Sequence, residues 1–193
     1  MNNSSIKRGK LIVVSAPSGT GKTTIVKEVL KEFPDLIFSV SATTRKKREN
    51  EIDGRDYFFL TEEEFRKRIE NNDFIEWEEV YDGCFYGTLK SYIEENIASG
   101  KKVLMDLDVK GALSIKRIYP EAILIYIVPP DRQELVKRLT KRNTEDQESL
   151  MKRIHRAEME LDQKDKFDMT VMNVELDKAI ADTKDLIRKL TKE

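Results

Sequence analysis

The stretch "LIVVSAPSGTGKTTIVKEVLKEF", Leu11 to Phe33, sets an apolar run, a glycine-bearing turn and a helical repeat in direct succession. "LIVV" is continuous rather than alternating, the pattern of a strand covered on both faces. After the turn, Ile25, Val26, Val29, Leu30 and Phe33 recur at the spacing of one helix face. Strand, glycine-rich turn and helix together let backbone N–H groups converge on an anion, and the helix start adds its positive end. The loop Ala16, Pro17, Ser18, Gly19, Thr20, Gly21, Lys22, Thr23, Thr24 meets the pattern G-x-x-x-x-G-K-[ST] except that Ala16 stands for the first glycine. A methyl group there is tolerable where φ is negative. Lys22 would reach the β and γ phosphates of a nucleotide, and the Thr23 hydroxyl would assist Mg²⁺. A turn that holds no ligand does not explain a lysine and two threonines at a helix start.

Outward from this loop, "KVLMDLD" (102–108), "AILIYIV" (122–128) and "FDMTVMN" (167–173) are further short apolar runs with helical patterns between and after them. Ile180, Thr183, Ile187 and Leu190 mark the last such helix. Alternating strand and helix predicts an α/β fold, a P-loop NTPase-type parallel sheet flanked by helices. Two segments break the pattern. Residues 40–91 are rich in charge and aromatics, with "DYFFL" as a short strand and Thr61/Glu64 as a capping box before a helix carrying Phe65 and Ile69. They read as an inserted small domain. Residues 132–163 are polar and arginine-rich, begin with Asp131 as a cap three residues before Glu134, and read as a helical lid. The expected division is thus a core of 7–39, 92–131 and 164–193, the insertion 40–91 and the lid 132–163.

Composition narrows the function classes. In 193 residues, 35 Lys and Arg nearly balance 36 Asp and Glu, so no global field draws the chain to nucleic acid or anionic lipid. Its one cysteine, Cys84, makes no internal disulfide, and no His/Cys set has zinc-ligand spacing. The start "MNNSSIKRGK" lacks the apolar core of a signal peptide, and no apolar run approaches a membrane span. The cytosol is the expected compartment, with neither nucleic acid nor membrane as a partner.

A phosphate loop alone does not name the acceptor. In "SVSATTRKKRENEIDGRDY" (39–57), Arg45 and Arg48 with Tyr57 suit one phosphate held by charge-assisted bonds and a phenolic hydroxyl. By composition alone the same run reads as solvated basic residues. In "FIEWEEVYDGCFYGT" (74–88), Glu76 has apolar and aromatic neighbours. A carboxylate at a base edge accepts two bonds from guanine N1–H and its 2-amino group, donors that adenine does not offer there.

Together these stretches resemble the guanylate kinases, which transfer phosphate from ATP to GMP. The motifs "S-A-P-S-G-T-G-K-T", "S-x-T-T-R-x-x-R", "D-G-x-D-Y-x-F", "F-I-E-W", "Y-G-T" and "D-x-D-x-x-G" carry the resemblance, over about residues 10–190. It implies that Ser41, Glu76 and Thr88 read the guanine, and that Arg45, Arg48, Tyr57 and Tyr86 hold the GMP phosphate. It further implies that Asp106 organises the arginines and the water shell of Mg²⁺, and that Asp108 lies at the GMP end of the cleft. In the lid it brings Arg138, Arg142 and Arg153 onto ATP and the transferring phosphate, and it sets Asn173 near the adenine. The chemistry implied is direct in-line transfer from Mg·ATP, with Lys22 and the lid arginines spreading the charge. Arg45 and Arg48 would offset repulsion between the anions, and insertion and lid would close around both substrates.

The sequence departs from the family's common pattern at Lys47, Asn50, Lys110 and Asn143, none of them a phosphate ligand. His155 is expected to face solvent on the lid, Cys84 to pack in the small domain, and Trp77 to fill that domain's core. Two other functions go with such a sequence: a non-catalytic module of the same fold that binds phosphorylated peptides, typically with an impaired phosphate loop where Lys22 and Thr23 are present here, and a related P-loop kinase with another acceptor. ATP binding separates the first, and Glu76 the second.

Overall fold

The structure, a computed structural model, describes residues 8–81, 83–140 and 147–192. Strand β1 (Leu11–Ser15) is buried along its whole length and lies at the centre of a five-stranded sheet. Its neighbours are β7 (Lys102–Asp106) and β8 (Ile123–Val128), with β2 (Leu36–Phe38) outside β7 and β9 (Met169–Met172) outside β8. Every pairing in this sheet is parallel. The continuous apolar run has a direct structural cause. Ile12 and Val14 face a cluster with Ile25 and Val29 of α1 (Lys22–Glu32) and Ile187 of α7 (Leu176–Lys192). Leu11 and Val13 face the opposite cluster, with Ile93 and Ile97 of α3 (Lys90–Ala98) and Ala112 and Ile115 of α4 (Val109–Ile118). Both faces are covered, so alternate residues of one strand are equally apolar.

A second sheet is built from residues between β2 and α3. Its order is β4 (Phe58–Phe59), β3 (Ala42–Thr43), β6 (Cys84–Leu89), β5 (Phe74–Tyr81), with β5 and β6 forming an antiparallel pair. Helix α2 (Glu62–Glu70) starts at the capping box read from the sequence: Thr61 accepts from the Glu64 N–H, and Glu64 accepts from the Thr61 N–H at 2.8 Å. The helix presents Phe65, fully buried, to Phe74 at 4.3 Å and Phe85 at 5.4 Å between ring centroids.

Trp77 does not fill this core. The stacked rings of Phe65, Phe74 and Phe85 already occupy it, and the indole lies at its margin, 6.2 Å from Phe85 between ring centroids and 46% exposed on the edge strand, beyond the β5 register shift between Phe74 and Glu76. The β5–β6 pair has no signal in the periodicity, because that shift breaks the alternation.

Helices α5 (Arg132–Thr140) and α6 (Gln147–Leu161) pack on each other through Leu135, Leu139, Ala157 and Ile154, a small core of their own. Asp131 caps α5, its Oδ1 accepting from the Glu134 N–H at 2.7 Å. His155 is exposed on α6, as expected, and Cys84 is partly buried on β6. Among the described residues, no helix is long and apolar enough to cross a membrane.

Candidate active site

The turn after β1 takes the shape its glycines allow. Gly19 and Gly21 have φ of 87° and 82°, where a side chain would be strained, and Gly21 is the residue before the first turn of α1. Ala16 is buried and does not have positive φ, so its methyl group costs the loop nothing. The loop is tied by its own Thr20 hydroxyl, which donates to the Pro17 carbonyl at 2.8 Å, and by the Asn173 amide, which donates to the Thr20 carbonyl at 2.7 Å. The cleft above it measures about 450 Å³ and is lined by Ala16 to Thr24, Asp108, and Arg153, Arg156 and Glu160 of α6. Thr23 and Thr24 are exposed to it at the positive end of α1.

Lys22 lies back across the sheet. Its ammonium donates to the Leu107 carbonyl at 2.6 Å and forms an ion pair with Asp106 Oδ1 at 2.5 Å. That carboxylate oxygen is buried and, the ion pair aside, accepts no hydrogen bond. A carboxylate with spare acceptor capacity and the Thr23 hydroxyl, one residue after the lysine that pairs with it, are hard oxygen donors of the kind Mg²⁺ and its waters take.

On the second sheet, Thr88 donates to Glu76 Oε1 at 2.6 Å across the β5–β6 pair, leaving Oε2 toward the start of α4. A Cβ at Gly111 would stand 3.7 Å from Glu76 Oε2 and 3.1 Å from Asp108 Oδ1, so glycine lets two carboxylates approach one turn of backbone. Asp108 caps α4, accepting from the Gly111 N–H at 2.7 Å, and its other oxygen meets Arg156 at 3.0 Å. Burial pushes the Glu76 carboxyl above its ordinary range; the Thr88 bond opposes this, and the charges of Asp108 and Glu78 add to it.

Arg45 forms a two-pronged pair with Glu51, at 3.0 and 2.7 Å, and Glu51 also accepts the Arg48 N–H at 2.8 Å. These bonds, the Arg45 one foremost, hold the Glu51 carboxyl down to about 2. They raise the already high pKa of Arg45. The Arg45 guanidinium lies 5.2 Å from the centre of the Tyr57 ring, and Tyr57 meets Tyr86 edge-on at 6.0 Å. Burial, then the neighbouring Tyr86, raises the Tyr57 hydroxyl above its ordinary range.

Most of the residues singled out from the sequence therefore fall into two groups. Ala16 to Thr24, Asp108 and Arg153 share the loop cleft, where Arg153 reaches the Ser18 hydroxyl at 3.4 Å. Arg45, Tyr57 and Tyr86 share one patch of the second sheet, with Glu76 and Thr88 paired on the same sheet. Arg48 is exposed, its N–H donating to Glu51, and Ser41 is half-buried beside β3, its carbonyl accepting from the Phe58 N–H. Arg138 is elsewhere: it donates to the Asn173 and Val174 carbonyls at 3.1 and 3.4 Å and pairs with Glu134 at 2.9 Å. Arg142 and Asn143 lie outside the described residues. Lys110, 79% exposed, reaches only within 3.9 Å of Glu78.

Three residues escaped the sequence reading: Glu51, Arg156 and Glu160. Glu51 closes the basic run 45–48 six residues after its partner Arg45, and Glu160 stands one helical turn after Arg156, a spacing that marks ion pairs.

A family model described as "Guanylate kinase" matches residues 8–190. The guanylate kinase of Thermotoga maritima is 47% identical over 181 residues, 94% of this chain and 87% of that protein. That of Salinibacter ruber is 51% identical over 179 residues, 92% of this chain and 95% of the relative. The crystal structure of guanylate kinase from Anaplasma phagocytophilum matches the fold with a TM-score of 0.71 at 28% identity, covering 96% of this chain and 86% of its own. With a matching phosphate loop, a half-buried carboxylate paired with its lysine and this similarity along nearly its whole length, the chain belongs to the guanylate kinase family.

Proposed function

We propose that the protein transfers the γ-phosphoryl group of ATP to GMP, and to dGMP, giving ADP and GDP or dGDP. The observation that carries this reading is the Glu76–Thr88 pair: a half-buried carboxylate with one oxygen uncommitted, close to Asp108, which itself lines the phosphate-loop cleft. Guanine offers two donors to such a group and adenine offers none, and an unpaired buried charge penalises the wrong base.

In this reading the loop N–H groups and Lys22 cradle the phosphates of ATP, and Arg153 approaches the transferring group from α6. Lys22 leaves Leu107 and Asp106 for the phosphates as they bind. Thr23 and Asp106 would hold Mg²⁺, which would supply neutralisation of charge on the donor phosphates. Arg45 exchanges Glu51 for the acceptor phosphate, so the ion pair keeps the guanidinium aimed before substrate arrives. Arg48, Tyr57 and Tyr86 complete that grip, and Ser41 joins Glu76 and Thr88 at the base. The attacking oxygen is already anionic, so no strong general base is needed, and transfer proceeds in line without a phosphoenzyme. Arg138, Arg142 and Asn173 serve the ATP end. Closure of the α5–α6 pair keeps water from the γ-phosphate.

The test is ADP formation from Mg·ATP with GMP, dGMP, AMP, CMP, UMP and no acceptor side by side. Selective turnover of GMP and dGMP is expected. ATP binding without turnover, or equal turnover of AMP, would overturn the assignment.

A further inference from the structure

Arg156 belongs to none of the roles above, yet it spans the cleft. It rises from α6, pairs with Glu160 one turn on at 2.9 Å, and reaches Asp108 at the start of α4 at 3.0 Å. Both ends of this bridge are anchored. Asp108 is fixed by the Gly111 N–H, and the Glu160 carbonyl accepts at 2.7 Å from Tyr126, a fully buried residue of β8 stacked on Phe167. The acceptor side is correspondingly acidic: Asp108 of α4 and Glu78 of β5 act on Glu76, while Lys110 stands near Glu78 and Thr88 of β6 donates to Glu76.

We propose that Arg156 is a positioning residue that ties helix α6 to Asp108, so that the donor-side helices and the acceptor site close as one unit. The inference rests on the reading that the loop cleft holds ATP and that Asp108 borders the GMP site. When α6 is docked, the Arg156 guanidinium offsets the Asp108 charge and lightens the repulsion on Glu76, which must be ionised to accept from guanine. When α6 lifts, Asp108 regains its full charge and the base site weakens. GMP binding and the docked position of α6 therefore favour each other.

Two measurements test this. The first reads the tether without any turnover: in a Cys84→Ser background, spin labels at Ile118→Cys of α4 and Met159→Cys of α6, both exposed in the structure, report the distance between the helices. Arg156→Ala should lengthen or broaden it, and Arg156→Lys should restore part of the parental distribution. The second is steady-state kinetics. Arg156→Ala should raise KM for GMP about two- to fivefold, the scale of a half-exposed ion pair, with less change in kcat, and move its acid limb to higher pH as Glu76 loses a nearby cation. In an Asp108→Asn background the same substitution should add little. An unchanged distance, a full additive effect beside Asp108→Asn, or a loss confined to kcat would overturn the proposal, the last pointing to a phosphate contact instead. If no acceptor is phosphorylated at all, the functional reading fails, and the distance measurement still decides the tether.

Discussion

Replacing Glu76 by alanine removes the group on which acceptor choice is expected to rest. In the structure its Oε1 takes the Thr88 hydroxyl at 2.6 Å and its Oε2 faces the start of α4, so the carboxylate is fixed before a base arrives. Guanine would donate twice to it, and hydrogen bonds to a charged acceptor contribute about 1.5–3 kcal/mol each. Losing both predicts a fall of roughly 3–6 kcal/mol in transition-state stabilisation, or about 10²- to 10⁴-fold in kcat/KM for GMP. Initial rates with GMP varied at saturating Mg·ATP give this number, and calorimetric titration of ATP gives the control. The reasoning is refuted if kcat/KM stays within about threefold of the parent, or if ATP affinity falls in parallel.

The same residue makes a stability prediction of defined sign. Burial raises the Glu76 carboxyl above 4.5, so the folded protein holds that proton more tightly than the unfolded chain. The stability tied to the protonated form is complete below about 4.5 and is lost as pH rises through the raised value. Glu76→Gln should therefore melt higher than the parent at neutral pH, with the gain vanishing in acid, while activity toward GMP falls. A lower melting temperature at neutral pH would contradict the burial argument.

Further outcomes concern Lys22, Glu51 and Trp77. Lys22→Met should cut turnover about 10²- to 10³-fold or more, the scale of one preorganised electrostatic contact, with circular dichroism showing a retained fold. Glu51→Gln should raise KM for GMP, because Arg45 loses its two-pronged partner. The Glu51 pair contributes stability that is present above its ordinary 4.5 and lost as pH falls toward about 2, so the difference in Tm should close over that window. Trp77, the one tryptophan, is half-exposed next to Glu76 in sequence, so its emission should change on titration with GMP and stay constant with ATP alone.

The parts of this molecule that are local in sequence were legible there. β1, the loop and α1 follow each other without interruption, and the capping box at Thr61 satisfies its own bonds within four residues. The two-sided burial of the central strands wrote itself as unbroken apolar runs. What could not be read were features fixed by distant partners. The β5 bulge hides the β5–β6 pair from any period-two pattern, and the position of Trp77 at the margin of the Phe65 core, 46% exposed, depends on how far that core reaches along the edge strand. Glu76 looks like any surface glutamate until Thr88 and the start of α4 come up against it, so its assignment rested on resemblance. Arg156 meets Asp108 across 48 residues of sequence, and no spacing rule connects them. Arg138 carried the right charge in the right segment, yet its direction toward the carbonyls of Asn173 and Val174 is a property of the packing alone.

The central claim is that the γ-phosphoryl group passes to GMP and not to water. Phosphorus NMR of the protein with Mg·ATP, first without acceptor and then with GMP, follows each phosphate directly. The account predicts a stable ATP spectrum until GMP is added, then the β-phosphate signals of ADP and GDP growing in equal amounts with no inorganic phosphate. Inorganic phosphate released with or without GMP, or ATP left unchanged in its presence, would contradict it.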